Sequence, residues 1–124
     1  RMSELTSTFR LEQEGEHPVL AAGKGVVVFA VDGPLFFGAA HKALGIVTSL
    51  DSSVRAVALD MSRVPAIDAT AMVNLRSVAA TLNGRGVKLY LFNPRANVEA
   101  KLRRFGLGAG GGNTVITGDA GSIQ

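Results

Sequence analysis

A mixed β-sheet with helices packed on it, an α/β layer fold, is what this 124-residue sequence predicts, and three observations predict it. Short β-branched apolar runs recur at 26–31, 54–59 and 87–92. Stretches with apolar residues at helical spacing stand between and after them. Turn-forming residues mark each junction, so strand and helix alternate along the chain.

The elements follow in order. Residues 1–18 are polar with scattered apolar positions, and 8–11 fit a short strand or a linker. Residues 18–23 fit an edge strand that runs into a turn at Gly23-Lys24-Gly25. The run 26–31 is nearly all apolar, as expected of a strand covered on both faces. Asp32-Gly33-Pro34 closes it with turn chemistry, and a short extended piece, 35–37, leads to Gly38. From Ala39, the positions Ala40, Ala43, Leu44, Val47 and Leu50 follow a helical stripe, with His41, Lys42 and Thr48 on the other side. Asp51-Ser52-Ser53 is a loop, and 54–59 is a second central strand ending at Asp60.

The next helix carries Ala71, Met72, Leu75, Val78, Ala79 and Leu82 as its apolar stripe, leaving Asn74, Arg76, Ser77 and Thr81 outward. Asn83-Gly84-Arg85-Gly86 ends it. Residues 87–92 form a third central strand. Asn93 then reads as an N-cap with Pro94 at the first helical position. Val98, Leu102 and Phe105 line the inner face of that helix, and Gly106 with Leu107 behind it reads as a Schellman stop. A glycine-rich loop and a last short strand, 114–117, complete the pattern.

Composition narrows the function. At 47% hydrophobic and 19% charged the chain is globular, and 124 residues suit one domain with one core. No apolar run approaches the roughly 20 residues of a membrane helix. Absence of cysteine excludes disulfides and thiolate metal sites. His17 and His41 lie far apart with no ligand at metal-binding spacing, so neither metal nor cofactor is expected. The net charge is +3, unevenly spread: Glu4, Glu12, Glu14 and Glu16 make the start acidic, and Arg95, Lys101, Arg103 and Arg104 make the late helix basic. That helix suits an anionic lipid or an acidic partner, but a solvated face with a Glu99–Arg103 pair explains it more simply. Aromatics are too sparse for a nucleic-acid surface.

The stretch 60–86 carries the candidate site. Asp68 stands just before the helical run, where its carboxylate caps backbone N–H groups. Thr70 falls in the first turn, its hydroxyl at the positive end of the helix dipole, where a phosphoryl group would be stabilised. An ordinary helix start accounts for both residues more simply. Asp60, Ser62 and Arg63 belong to the same sheet edge as Asp68 and form either a polar patch with it or a turn held by side-chain bonds, and Asp60, Ser62 and Asp68 are the only carboxylate–hydroxyl cluster. With no histidine near and no G-x-S-x-G elbow, an enzyme is not expected. Gly106, Gly108 and Gly111 spell G-x-G-x-x-G, but they follow a helix and precede a strand, the reverse of a dinucleotide fingerprint. Phe36-Phe37 is either a docking patch or a pair with one ring in the core.

The arrangement VAL-DMS-RVPAIDATA, with VFAVDGPLFFGAAHKAL upstream, resembles a STAS domain over about residues 25–118. This family comprises the anti-sigma factor antagonists and the C-terminal cytoplasmic domains of SulP-type anion transporters, and the GPLFFGAA run looks like the bacterial transporter branch. The resemblance implies the SpoIIAA-like α/β fold, with residues 1–18 as linker from a membrane domain and 19–124 as the STAS domain. The opening Arg1-Met2, which is not an initiator methionine, suits such an exit. It implies a regulatory role at the cytoplasmic face of the inner membrane, in a homodimeric transporter of sulfate, bicarbonate or dicarboxylate. The partners would be its own membrane domain and cytosolic regulators, with no nucleic acid.

By the same resemblance, partners dock at Ser62 and the Asp68–Ala69–Thr70–Ala71 turn. The alternative it implies is a free-standing antagonist switched by phosphorylation at Thr70. Against that, Ala71 stands where the antagonists carry glycine, and Ala69 replaces a second hydroxyl. A small nucleotide-binding sensor is a third possibility by family analogy. The family also leads one to expect a closing helix, whereas residues 118–124 are too short and glycine-rich for more than a turn.

Overall fold

The computed structural model describes residues 8–11, 25–34, 45, 51–108, 114–119, 121 and 123. Five strands, β1 (Thr8–Leu11), β2 (Val26–Asp32), β3 (Ala56–Arg63), β4 (Lys88–Phe92) and β5 (Thr114–Thr117), form one sheet in the order β1-β2-β3-β4-β5. The central pairings β2–β3, β3–β4 and β4–β5 are parallel, while β1 runs antiparallel to β2. Among the described residues the complete helices are α1 (Ala69–Gly84) and α2 (Ala96–Arg104). The predicted mixed sheet with packed helices is therefore observed. The predicted strand 18–23, the extended piece 35–37 with Phe36-Phe37, and the helix beginning at Ala39 lie outside the described residues, apart from Gly45, which is helical.

Alternation along the strands sends side chains to two faces. On one, Phe29, Val31, Val57, Leu59, Met61, Leu89 and Leu91 meet the inner sides of α1 and α2 in the main core. On the other, Val26, Val28, Ala56, Ala58, Tyr90 and Phe92 are buried together with Ile123. The expectation that the strand 26–31 is covered on both faces holds. The tail does form a turn, with the Gly121 N–H donating to Asp119 Oδ1 at 2.9 Å. It nevertheless returns a side chain to the sheet: Ile123 is 2% exposed.

Three local readings need correction. The second central strand begins at Ala56 and runs to Arg63, because Arg55 and Ala56 both donate their N–H groups to the Gly25 carbonyl and start the ladder there. Asp60, Ser62 and Arg63 therefore stand on the strand rather than beyond it. Asn93 does not cap α2. It adopts φ 54, a left-handed geometry asparagine tolerates, and its N–H donates to Thr117 O at 2.8 Å. Arg95 takes the cap position, with no side-chain capping bond, leaving Pro94 outside the helix. On α1, Arg76 and Ser77 face outward as predicted, but Asn74 and Thr81 are half-buried, and Asn74 Nδ2 is buried with no hydrogen-bond partner.

Both helices end as read. The Val87 N–H reaches Leu82 O at 2.9 Å and the Leu107 N–H reaches Leu102 O at 3.0 Å, the long bonds of two Schellman motifs, with Gly86 and Gly106 left-handed between. Gly108, at φ 78, is held more tightly: a Cβ there would lie 2.9 Å from both Cγ1 and Cδ1 of Ile116 on β5. Gly108→Ala combines left-handed strain with overpacking, and is expected to cost about 2 kcal/mol by urea denaturation. A cost near zero would mean the loop does not pack on β5 in this way.

Candidate functional site

The β3–α1 turn is built by local bonds at each end. Asp60 Oδ1 accepts from both the backbone N–H and the hydroxyl of Ser62, at 3.0 and 2.8 Å, which bends the end of β3. Val64 N–H then donates to Met61 O at 3.0 Å, and the side chains of Val64 and Ile67 drop into the core. Asp68 is extended (φ −103, ψ 170), and its Oδ1 accepts the Ala71 N–H at 2.8 Å, the N-cap the sequence predicts. Asp68→Ala is expected to lose about 1 kcal/mol of stability, read from the urea midpoint, while Asp68→Asn should keep most of it.

The candidate docking residues divide by this geometry. Ala69 and Thr70 are exposed, Asp68 and Ser62 half-buried. Ala71 is fully buried and serves the core. The surface at the turn is thus Ala69 and Thr70, with Asp68 committed beneath them. Asp60 and Ser62 are joined, whereas Asp68 does not extend that patch, and Arg63 turns to Asp32 Oδ1 at 3.8 Å. Among the described residues Asp51 is the carboxyl held clearly below its ordinary range, because the Ser53 backbone N–H donates to it; it belongs to the loop before β3, at the opposite end of that strand.

What holds the turn from the side is all but invisible in the sequence. Three side chains near or on α2 donate to its carbonyls: Arg95 Nε to Ser62 O at 3.1 Å, Asn97 Nδ2 to Pro65 O at 3.0 Å, and Lys101 Nζ to Ile67 O at 3.5 Å. Loop carbonyls between a strand and a helix have no ladder to join, and these donors satisfy them. The local signal is only the spacing of Asn97 and Lys101, four apart on one helix face. The basic helix is therefore not merely a solvated face, although the predicted Glu99–Arg103 pair is present at 2.8 Å.

Chemically, the turn offers a hydroxyl at the head of a 16-residue helix on a backbone fixed from two sides. It can present a rigid surface, or accept a modification whose negative charge the helix dipole favours. Among the described residues there is no group of His, Cys, Asp or Glu able to hold a metal ion, and no helix is long and apolar enough to cross a membrane.

Comparison with known proteins agrees with this architecture. The family model for the STAS domain matches residues 17–110. A sulfate transporter family protein from Wolinella succinogenes is 30% identical, over 80% of this chain and 83% of that one, with a TM-score of 0.69. The murine Slc26a9 anion transporter, inward-facing, shares the fold (TM-score 0.69, 19% identity, 95% of this chain), and the chain spans 22% of its length. The anti-sigma factor antagonist SpoIIAA in its unphosphorylated form shares it too, with a TM-score of 0.62 and 17% identity over 90% of this chain and 88% of that one. No curated protein matches the chain at the sequence level.

Proposed function

The chain belongs to the STAS domain family, and from that premise we propose that it is the cytoplasmic regulatory domain of a SulP-family anion transporter, with sulfate, bicarbonate or a dicarboxylate as the transported class. The observation that carries this reading is the 30% identity to a sulfate transporter family protein across most of both chains. The chemistry of the domain supports a binding role and not catalysis: the carboxylate–hydroxyl pair at the candidate site, Asp60 and Ser62, bonds internally to shape the turn. The domain acts by contact. It docks against its own membrane domain at the cytoplasmic face of the inner membrane, assembles with it as a homodimer, and offers Ala69 and Thr70, the exposed part of the Asp68–Ala71 turn, to cytosolic regulators.

The test is the gene sequence upstream of Arg1. A series of hydrophobic segments, each about 20 residues long, is expected there. A start codon within a few residues would overturn the transporter reading.

A second reading, a free-standing antagonist switched at Thr70, draws support from the exposure of Thr70 at the head of α1. Intact-mass analysis of protein from its native cell tests it. An added phosphate that Thr70→Val abolishes supports the switch, and its absence under every growth condition removes it.

A further inference from the structure

A notch of about 140 Å³ opens between α1 and α2, lined by Met72, Phe105, Lys101 and Arg104. Its floor and one wall are apolar. Met72 is 8% exposed, and the half-buried Phe105 ring is fixed by Arg76, whose guanidinium lies 4.2 Å over the ring and donates to Phe105 O at 3.0 Å. Its rim is cationic. Lys101 is tied loosely, at 3.5 Å, to a loop carbonyl, and the Arg104 guanidinium makes no hydrogen bond or ion pair with any described residue. The acid on this helix, Glu99, is occupied by Arg103.

We propose that this notch seats an aromatic or aliphatic side chain from an acidic segment of a partner protein, with neighbouring carboxylates on Lys101 and Arg104. The match is one of charge and shape together. The cationic rim favours acids, and the apolar floor favours an apolar side chain. A lipid surface fits less well, because it binds apolar residues that project outward, and here they are recessed. The proposal does not depend on the transporter reading.

The experiment uses the 124-residue chain and a fluorescein-labelled peptide of Asp and Glu around a single Phe. Anisotropy titration should show saturable binding, weakened about tenfold when the peptide's Phe becomes Ala, and similarly when its acids become Gln. Arg104→Gln, a change at an exposed position, should weaken binding several-fold with circular dichroism unchanged. The Met72 methyl resonance should shift with occupancy. Binding indifferent to the peptide Phe or to Arg104, or an unmoved Met72 methyl, overturns the proposal. So does association with vesicles of phosphatidylcholine and phosphatidylserine in the absence of peptide binding.

Discussion

Leu102→Ala should lower the unfolding free energy by about 3 kcal/mol, within the range found for fully buried leucines. Helix α2 has nine residues and buries only Val98 and Leu102 among them. A helix that short has little stability of its own and depends on tertiary packing. Leu102 also lies under the Schellman stop, since its carbonyl receives the Leu107 N–H. Removing it leaves a cavity beneath the helix and loosens the segment that carries Arg95, Asn97 and Lys101. The urea midpoint should fall with little change in slope. Amide exchange should also accelerate between Val64 and Ile67, where α2 grips the turn. Arg103→Ala, which breaks only the exposed pair with Glu99, is the control and should cost no more than about 0.5 kcal/mol. A Leu102→Ala loss below about 1 kcal/mol would contradict the packing of α2.

Ile123→Asp should cost about 3 kcal/mol, a large effect for a residue outside every helix and strand. Ile123 lies against Val26, Val28, Ala56, Ala58, Tyr90 and Phe92 on the face of the sheet away from α1 and α2. A carboxylate cannot stay ionised in those surroundings without a partner, so the tail withdraws instead. The cost is then bounded by undocking: the burial of one isoleucine, about 1.5–3 kcal/mol, together with the void it leaves. The melting temperature should drop by roughly 10 °C for a domain of this size. Ile123→Val, which removes one methyl group, should cost about 1 kcal/mol. If Ile123→Asp melts with the parent, the tail does not contribute to this face.

Much of the fold was legible because its elements announce themselves locally. Residues 26–31 and 87–92 are apolar enough to be strands under any reading, and the stripe from Ala71 to Leu82 leaves one helix face to bury. Asp68 was legible as a cap for the same reason, since capping is decided within four residues. The misreadings arose where distant chain decides. The start of β3 is set by the Gly25 carbonyl, some thirty residues earlier. Asn93-Pro94 has the composition of a helix start, but Asn93 is recruited by Thr117 across the sheet and the helix begins later. The grip of α2 on the turn joins residues about thirty apart through backbone carbonyls, which carry no mark in a sequence. Ile123 was missed because glycine-rich surroundings suggest a loose end and do not show where one apolar side chain lands.

The parallel order of β2 to β5 has a consequence for how the domain reaches its fold. Apart from β1 on β2, each strand pairing closes over a long crossover, so few contacts form early and the loop-closure cost precedes the gain. Refolding on the millisecond-to-second scale follows, and throughout that interval the apolar strand AVALDMSR lies open on both sides. Variants that delay the docking of α2 will therefore show themselves first as aggregated, poorly recovered protein, before any change in the melting of the fraction that folds.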